Sequence, residues 1–212
     1  MDKKFAIFDL DGTLVDSMSY WSQLAEEYLH SRGVEQVPNH ILEAIKPMTM
    51  EESADLFRRT FGLDITSNHM VAEMEHMMDQ HYRNDIPLKE GVAAYLEGLH
   101  QAGTTMCVAS ATAEPLVELC LSRLGVRHYF QFLLSCETVG VGKTQPDIYL
   151  QAAQRMGCTP AETAVYEDAV YAAATAKNAG FYIVGVYDQD ASAHWEELQG
   201  LSDETIPSFE EA

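Results

Sequence analysis

FAIFDLDGTLVDS, residues 5–17, begins as a short apolar strand and ends in two aspartates, Asp9 and Asp11, that are separated by one residue. Carboxylates that lie this close raise each other's pKa unless a cation lies between them. A buried strand that delivers both groups to one place therefore needs a positive partner at its end. We predict that a divalent metal ion is this partner and that a phosphate group joins it.

The rest of the chain repeats the pattern of an apolar strand followed by a helix. Its apolar runs lack polar alternation, as expected for a parallel sheet that is covered on both faces. Strand–helix alternation favours parallel pairing with right-handed crossovers. We therefore predict an α/β core with a Rossmann-like, doubly wound parallel sheet. The predicted strands are 4–10, 104–110, 132–138, 163–167 and 182–187, and the helices between the last four are 115–124, 147–156 and 169–179.

Residues 16–85 interrupt this rhythm with helical patterns and no strand pattern. Met70, Met74, Met77 and Met78 recur at helical spacing, which is typical of the core of a helical bundle. We predict a helical cap domain at 16–85, inserted into a core domain that is formed by 1–15 and 86–212.

The composition narrows the class of partners. The chain carries 33 acidic residues against 13 Lys and Arg, a formal net charge of −20, which disfavours binding to nucleic acid and to anionic membranes. The four cysteines lack the spacing of a zinc site or a redox pair, as is usual for free thiols in a reducing compartment. The first apolar run is too short for a signal peptide, and no run reaches transmembrane length. We expect a cytoplasmic protein, and the oligomeric state is left open, with a monomer as one option.

Residues that can bind a metal ion or a phosphate follow four of the predicted strands. Ligands of parallel sheets bind beyond the carboxyl ends of the strands. Asp9 and Asp168 offer the oxygen ligands that Mg²⁺ prefers. Asp11 and Glu167 complete the predicted set of metal-binding residues. An EF-hand calcium loop is excluded, because a strand precedes these acids and Gly12 comes too early.

A carboxylate held beside a metal ion and a lysine can attack phosphorus. We predict Asp9 as a nucleophile that forms an aspartyl-phosphate, Asp11 as the residue that moves protons, and Lys143 as a neutralising charge. The predicted phosphate-binding groups are Ser110 and the backbone N–H groups after the first two strands, at Leu10 and Ala111.

The four motifs together resemble those of the haloacid dehalogenase superfamily, in the branch with a helical cap after the first motif. DLDGTLVDS is similar to its first motif and implies Asp9 as nucleophile and Asp11 as general acid/base. CVASATAEP is similar to the second and implies Ser110 as a phosphate-binding residue. The resemblance spans nearly the whole chain, with the motifs in the family's order.

The third and fourth motifs resemble the family's with departures. GVGKTQPDIYL implies Lys143, although the usual Lys-Pro reads Lys-Thr here. VYEDAVYAAATAKNAG implies Asp168 and Glu167 at Mg²⁺, although Ala169 replaces the usual serine. The charged groups are intact in both motifs.

The resemblance implies a phosphatase for a small phosphorylated metabolite or, alternatively, a sugar phosphomutase like the related β-phosphoglucomutase. That mutase carries a cap arginine in the segment resembling KPMTMEES, and the corresponding position here is Met50. This difference favours the phosphatase, with Lys46, Arg58 or Arg59 as the cations that would compensate in a mutase. A signalling module of the receiver type, which accepts phosphate without turnover, is the less favoured alternative, because the chain has a cap and its acceptor follows the first strand.

The inserted segment predicts a lid over the substrate. Closing a site expels water and strengthens the electrostatics inside it. Residues 17–21 and 49–53 are the candidates to face the substrate.

Overall fold

The structure, a computed structural model, describes residues 3–45, 48 and 50–212. It divides into one unit formed by Met1–Met18 and Ile86–Ala212 and a second formed by Ser19–Asp85. The sequence-based division placed the first junction after residue 15. The assignment of core and cap domains with those boundaries stays a prediction.

A parallel sheet of six strands forms the centre of the first unit, in the order β3-β2-β1-β4-β5-β6. The predicted Rossmann-like α/β fold is thereby confirmed. The order reverses direction between β1 and β4, which makes their carboxyl ends the switch point where such sheets bind ligands. The strands are β1 (Phe5–Phe8), β2 (Thr105–Ser110), β3 (Phe130–Ser135), β4 (Thr163–Glu167), β5 (Tyr182–Val186) and β6 (Glu204–Ile206).

Helices fill the connections between the strands. In the part of the chain that the structure describes, three single-turn 3₁₀ segments accompany them, at Arg127–Tyr129, Pro160–Glu162 and Ser192–His194. In chain order the α-helices are α1 (Met18–Ser31), α2 (Asn39–Ile45), α3 (Met50–Phe61), α4 (Ser67–Asn84), α5 (Val92–Gln101), α6 (Glu114–Arg123), α7 (Cys136–Val139), α8 (Asp147–Met156), α9 (Val170–Asn178) and α10 (Trp195–Leu201).

The predicted third strand, 132–138, was misplaced. The observed β3 begins two residues earlier, at Phe130, and stops at Ser135. The chain turns there because the Ser135 hydroxyl accepts a hydrogen bond from the Thr138 N–H at 3.1 Å and so caps α7. Strand β6 was not predicted, since three residues are too few to show a period.

Both faces of the sheet are apolar. On one face the Phe8 ring stacks on Tyr166 of the neighbouring strand, with ring centres 4.0 Å apart, and the Tyr166 hydroxyl lies 2.9 Å from that of Tyr95 on α5. On the other face Ile7 belongs to a buried cluster with residues of α8 and α9. Packing on two faces holds the ends of β1 and β4 in a fixed register.

The second unit consists mainly of the helices α1–α4. The methionine stripe of α4 is buried at Met70, Met74 and Met78, each at most 3% exposed. The Tyr28 hydroxyl donates to Glu73 at 2.7 Å, which joins α1 to α4. Thr49, in the segment 49–53 that was predicted to face the substrate, lies outside the described residues, as do Lys46 and Pro47 before it. Within the described residues, no helix combines the length and apolar composition that crossing a bilayer requires.

The C-terminal segment packs over the start of α5 at Gly91. A Cβ atom at Gly91 would lie 2.5 Å from the backbone of Phe209 and Glu210. The Phe209 ring is 5% exposed and meets the Tyr95 ring edge to face, with centres 5.1 Å apart. Gly91 also has φ of +83°, so both its backbone angle and its surroundings call for glycine.

We therefore expect Gly91→Ala to destabilise the protein more than an alanine placed at another left-handed glycine. Gly103 is the matched control, because its φ is +81° and no atom lies within 4 Å of the position that a Cβ would take. Backbone strain costs about 1–2 kcal/mol at either site, and forcing the tail away costs about 1–3 kcal/mol more at Gly91. Urea unfolding of both variants measures the difference, and equal free energies of unfolding would contradict the packing described here.

Candidate active site

The backbone hydrogen bonds between β1 and β4 set the position of Asp9, the first of the predicted site residues. Phe8 pairs with Tyr166, and the Asp9 N–H continues the ladder by donating to the Tyr166 carbonyl at 3.0 Å. Asp9 therefore lies beside Glu167 and Asp168, which follow Tyr166 on the adjacent strand. The pairing brings Asp9 together with two predicted metal-binding residues that lie about 160 positions further along the chain.

Asp9, Glu167 and Asp168 form a buried cluster in which one carboxylate oxygen of each lies within 4.8 Å of the others. They are 7%, 1% and 7% exposed. Burial raises the pKa of Asp9 well above its usual value, and the neighbouring acids add to this against the opposing charge of Lys143. Burial, followed by the charges of Glu167 and Asp188, raises the pKa of Asp168 to about 7. The three acids thus bring an excess of negative charge, and three hard oxygen donors fit a divalent cation such as Mg²⁺.

Lys143 supplies the positive charge inside this cluster. Its side chain is 5% exposed, and its ammonium group donates to Asp9 Oδ1 and, at 2.7 Å, to Glu167 Oε1. Burial alone would lower the pKa of Lys143, but the two carboxylates raise it above its usual value. The lysine therefore stays charged, and it offsets only part of the negative charge of three acids.

Asp11 is held by hydrogen bonds of its own. Its carboxylate accepts hydrogen bonds from the hydroxyls of Ser17 and Thr112, both at 2.7 Å. Its side chain is not one of the three grouped carboxylates among the described residues, so its assignment as a metal ligand stays a prediction. The two hydroxyl donors hold it at the same edge of the sheet, between the loops that follow β1 and β2.

The predicted phosphate-binding groups occupy those same two loops. Ser110 ends β2 and is fully buried, and its hydroxyl oxygen accepts the Thr112 N–H at 2.9 Å. Ala111, the next residue, is exposed, whereas Leu10 is buried. Their roles in phosphate binding stay predictions.

Three hydroxyl groups of the site were missed by the sequence analysis. Thr13 donates to Asp168 at 3.3 Å, Thr112 to Asp11, and Tyr149 to Glu167 Oε1 at 2.7 Å. Thr13 and Thr112 stand inside quoted motifs and follow predicted site residues by two positions, which is a usable signal. Tyr149 lies in the predicted helix 147–156 among apolar residues at helical spacing, and nothing in that pattern distinguishes its hydroxyl.

The predicted cap contacts are placed only in part. Ser17 reaches Asp11, as described above. Trp21 donates its indole N–H to the Tyr82 hydroxyl at 3.2 Å, within the helical unit. Arg58 and Arg59 lie in the last turn of α3, while Lys46 and Thr49 lie outside the described residues. Whether any cap residue faces the substrate stays a prediction.

The sequence model of a family described as haloacid dehalogenase-like hydrolase matches residues 6–186. Among curated proteins, a β-phosphoglucomutase of Bacillus subtilis (strain 168) is 28% identical over 196 residues, which cover 86% of this chain and 83% of the relative. The fructose-1-phosphate phosphatase YqaB of Escherichia coli (strain K12) is 26% identical over 183 residues, covering 85% and 94%.

Solved structures share the fold of this chain. A structure described as a putative β-phosphoglucomutase from Thermotoga maritima superposes with a TM-score of 0.83 at 22% identity, covering 98% of this chain and 95% of that one. At this level of identity the likeness establishes the fold alone.

The close approach of Gly12 to Asp168 yields a test of the cluster. A Cβ at Gly12 would lie 2.5 Å from Asp168 Oδ2, so we expect Gly12→Ala to displace this carboxylate and to weaken Mg²⁺ binding by about 10–100-fold. Gly157→Ala is the control, because Gly157 has a similar φ of +76° and nothing within 4 Å of a Cβ. Titration calorimetry with Mg²⁺ checks this, and equal affinities in the two variants would refute the prediction that Asp168 binds the metal.

Proposed function

The chain belongs to the haloacid dehalogenase-like hydrolases, and from this premise we propose that it is a Mg²⁺-dependent phosphatase that hydrolyses a small phosphorylated metabolite through an aspartyl-phosphate. The observation that carries the proposal is the buried cluster of Asp9, Glu167 and Asp168 with Lys143 hydrogen-bonded inside it. Phosphoryl transfer needs mainly positioning and charge neutralisation, which this arrangement supplies.

The proposed metal ligands are Asp9 and Asp168, with Glu167 as a further ligand or as the group that orients a metal-bound water. When bound, Mg²⁺ would neutralise the cluster and withdraw charge from the phosphate. Lys143 has a separate task, because its hydrogen bonds fix Asp9 and Glu167 on either side of one ammonium group. The charge of Lys143 opposes the rise in the pKa of Asp9 that burial causes.

Asp9 is the proposed nucleophile. One of its oxygens, Oδ1, accepts the Lys143 hydrogen bond, which leaves Oδ2 as the oxygen that forms the new bond to phosphorus. The bond between phosphorus and the leaving oxygen breaks with its electron pair on that oxygen. Asp11 gives this oxygen a proton and then takes one from the water that attacks the aspartyl-phosphate, so that phosphate is released and Asp9 is restored.

Ser17 and Thr112 support this role of Asp11. Their hydroxyls hold both carboxylate oxygens, which keeps the side chain near the ends of β1 and β2 where a leaving group would lie. In the same proposal Ser110 and the N–H groups of Leu10 and Ala111 bind the phosphate oxygens.

The class of substrate is inferred from the activities for which similar proteins are named. Curated relatives include the fructose-1-phosphate phosphatase named above and a hexitol phosphatase B of Escherichia coli, 27% identical over 172 residues. We therefore favour a sugar phosphate or a similar small phosphomonoester. The cytoplasm is the proposed location, and the free thiols at Cys107, Cys120, Cys136 and Cys158 support it.

A sugar phosphomutase is the second candidate. It is favoured by the similarity to the β-phosphoglucomutase of Bacillus subtilis. It is disfavoured by Met50, which stands where the family resemblance implies a cap arginine in β-phosphoglucomutase. A mutase would return the phosphoryl group to a sugar hydroxyl in place of water.

A metal-dependent hydrolysis screen separates the candidates. We expect steady release of phosphate from at least one phosphorylated sugar, small acid or nucleotide, with many turnovers per protein and loss of activity after chelation. Isomerisation of glucose 1-phosphate is measured alongside. Isomerisation without phosphate release would favour the mutase, and a single turnover would favour a signalling module.

Two matched substitutions test the mechanism. Asp9→Asn should abolish turnover and phosphoenzyme formation, because an amide cannot carry the phosphoryl group. Asp11→Asn should still form the phosphoenzyme but clear it about 10²–10⁴-fold more slowly, the usual contribution of a positioned acid/base. Trapping of the phosphoenzyme from a substrate with a radiolabelled phosphoryl group checks this, and circular dichroism shows that both variants are folded. Full activity of a folded Asp9→Asn variant would refute the nucleophile.

A further inference from the structure

Tyr149 is a buried tyrosine for which the proposed reaction has no task. It lies in the first turn of α8 and is fully buried. Its ring contacts Phe181 edge to face, with centres 6.1 Å apart, within the apolar cluster beneath the sheet. A phenylalanine would serve this packing equally well, so the hydroxyl needs a separate explanation.

The hydroxyl is directed at Glu167. It donates to Glu167 Oε1 at 2.7 Å, and the Lys143 ammonium donates to the same oxygen at 2.7 Å. A carboxylate oxygen accepts about two strong hydrogen bonds, one for each lone pair. Oε1 is therefore saturated by these two donors, and Oε2 is the oxygen that remains for a cation or its bound water.

Among the described residues, Lys143 and Tyr149 donate the hydrogen bonds that orient the Glu167 carboxylate. It is 1% exposed, and its side chain meets Lys143 and Tyr149. Lys143 is shared with Asp9, so the lysine alone would allow the Glu167 carboxylate to turn and to present either oxygen. The tyrosine adds a second donor from a rigid helix, and two donors on one oxygen fix the orientation of the group.

We propose that Tyr149 is a positioning residue that directs Glu167 Oε2 towards the metal by holding Oε1 together with Lys143. The inference rests on the proposed metal-dependent function. It adds a residue from α8, a helix that contributes no group to the proposed reaction. It also attributes the orientation of the Glu167 carboxylate to an uncharged hydrogen-bond donor.

Tyr149→Phe removes the hydroxyl and keeps the ring. We expect it to weaken binding of Mg²⁺ alone to the metal-free protein by about tenfold, the lower end of the range for groups that orient a metal ligand. At saturating Mg²⁺, KM for the substrate should stay within about twofold, because the tyrosine does not touch substrate. Titration calorimetry measures the first effect without turnover, and steady-state kinetics measure the second.

Tyr95→Phe is the matched control, because the hydroxyl of this half-buried tyrosine also lies in a hydrogen bond to a buried side chain, 2.9 Å from the hydroxyl of Tyr166. It should lose a similar amount of thermal stability and keep its affinity for Mg²⁺. A drop in affinity of the same size in both variants would overturn the inference, since it would reflect general loosening.

A double-mutant cycle tests whether Tyr149 acts through Glu167. In a Glu167→Gln background, Tyr149→Phe should have little further effect on Mg²⁺ affinity, whereas independent effects would add. Additive losses, or an unchanged affinity in folded Tyr149→Phe, would overturn the inference alone. If the wild-type protein binds no Mg²⁺ and releases no phosphate, the proposed function is wrong, and this inference is then wrong as well.

Discussion

The contact between the Lys143 ammonium and two buried carboxylates is the interaction on which the site depends. Three acids and one lysine leave an excess of negative charge in a place from which water is largely excluded. Removing charge from water is costly unless each group has a partner. The lysine satisfies Asp9 and Glu167 by direct hydrogen bonds, and the remaining imbalance explains why the cluster suits a divalent cation.

The parallel sheet makes this concentration of charge possible. The backbone ladder between β1 and β4 sets Asp9 beside Glu167 before any side chain interacts, and aromatic packing of Phe8 on Tyr166 fixes the two strands just below. The free energy that holds the acids together therefore comes from apolar burial and backbone hydrogen bonds. The charged groups can be arranged for chemistry because they are not required to hold the fold together.

The sequence predicted the α/β fold and the residues whose chemistry is visible in their type and position. Asp9, Lys143, Glu167 and Asp168 could be found because charged residues at strand ends have few structural uses. Tyr149 could not, because a tyrosine in an apolar helix stripe looks the same whether its hydroxyl meets water or a carboxylate. The end of β3 was missed because Ser135 stops the strand by a local cap, while the apolar pattern runs on into α7.

The position of β1 has a consequence for biosynthesis. β1 is made first, yet it lies in the middle of the sheet, and its two neighbours begin at Thr105 and Thr163. While the ribosome makes the intervening residues, the nascent Phe5–Phe8 segment has no partner strand on either edge, a condition that invites aggregation. The residues between β1 and β2 can form helices from local contacts during this interval. β1 thus stays unpaired until β2 and β4 have been made, and a chaperone that binds exposed apolar segments would protect it during this interval.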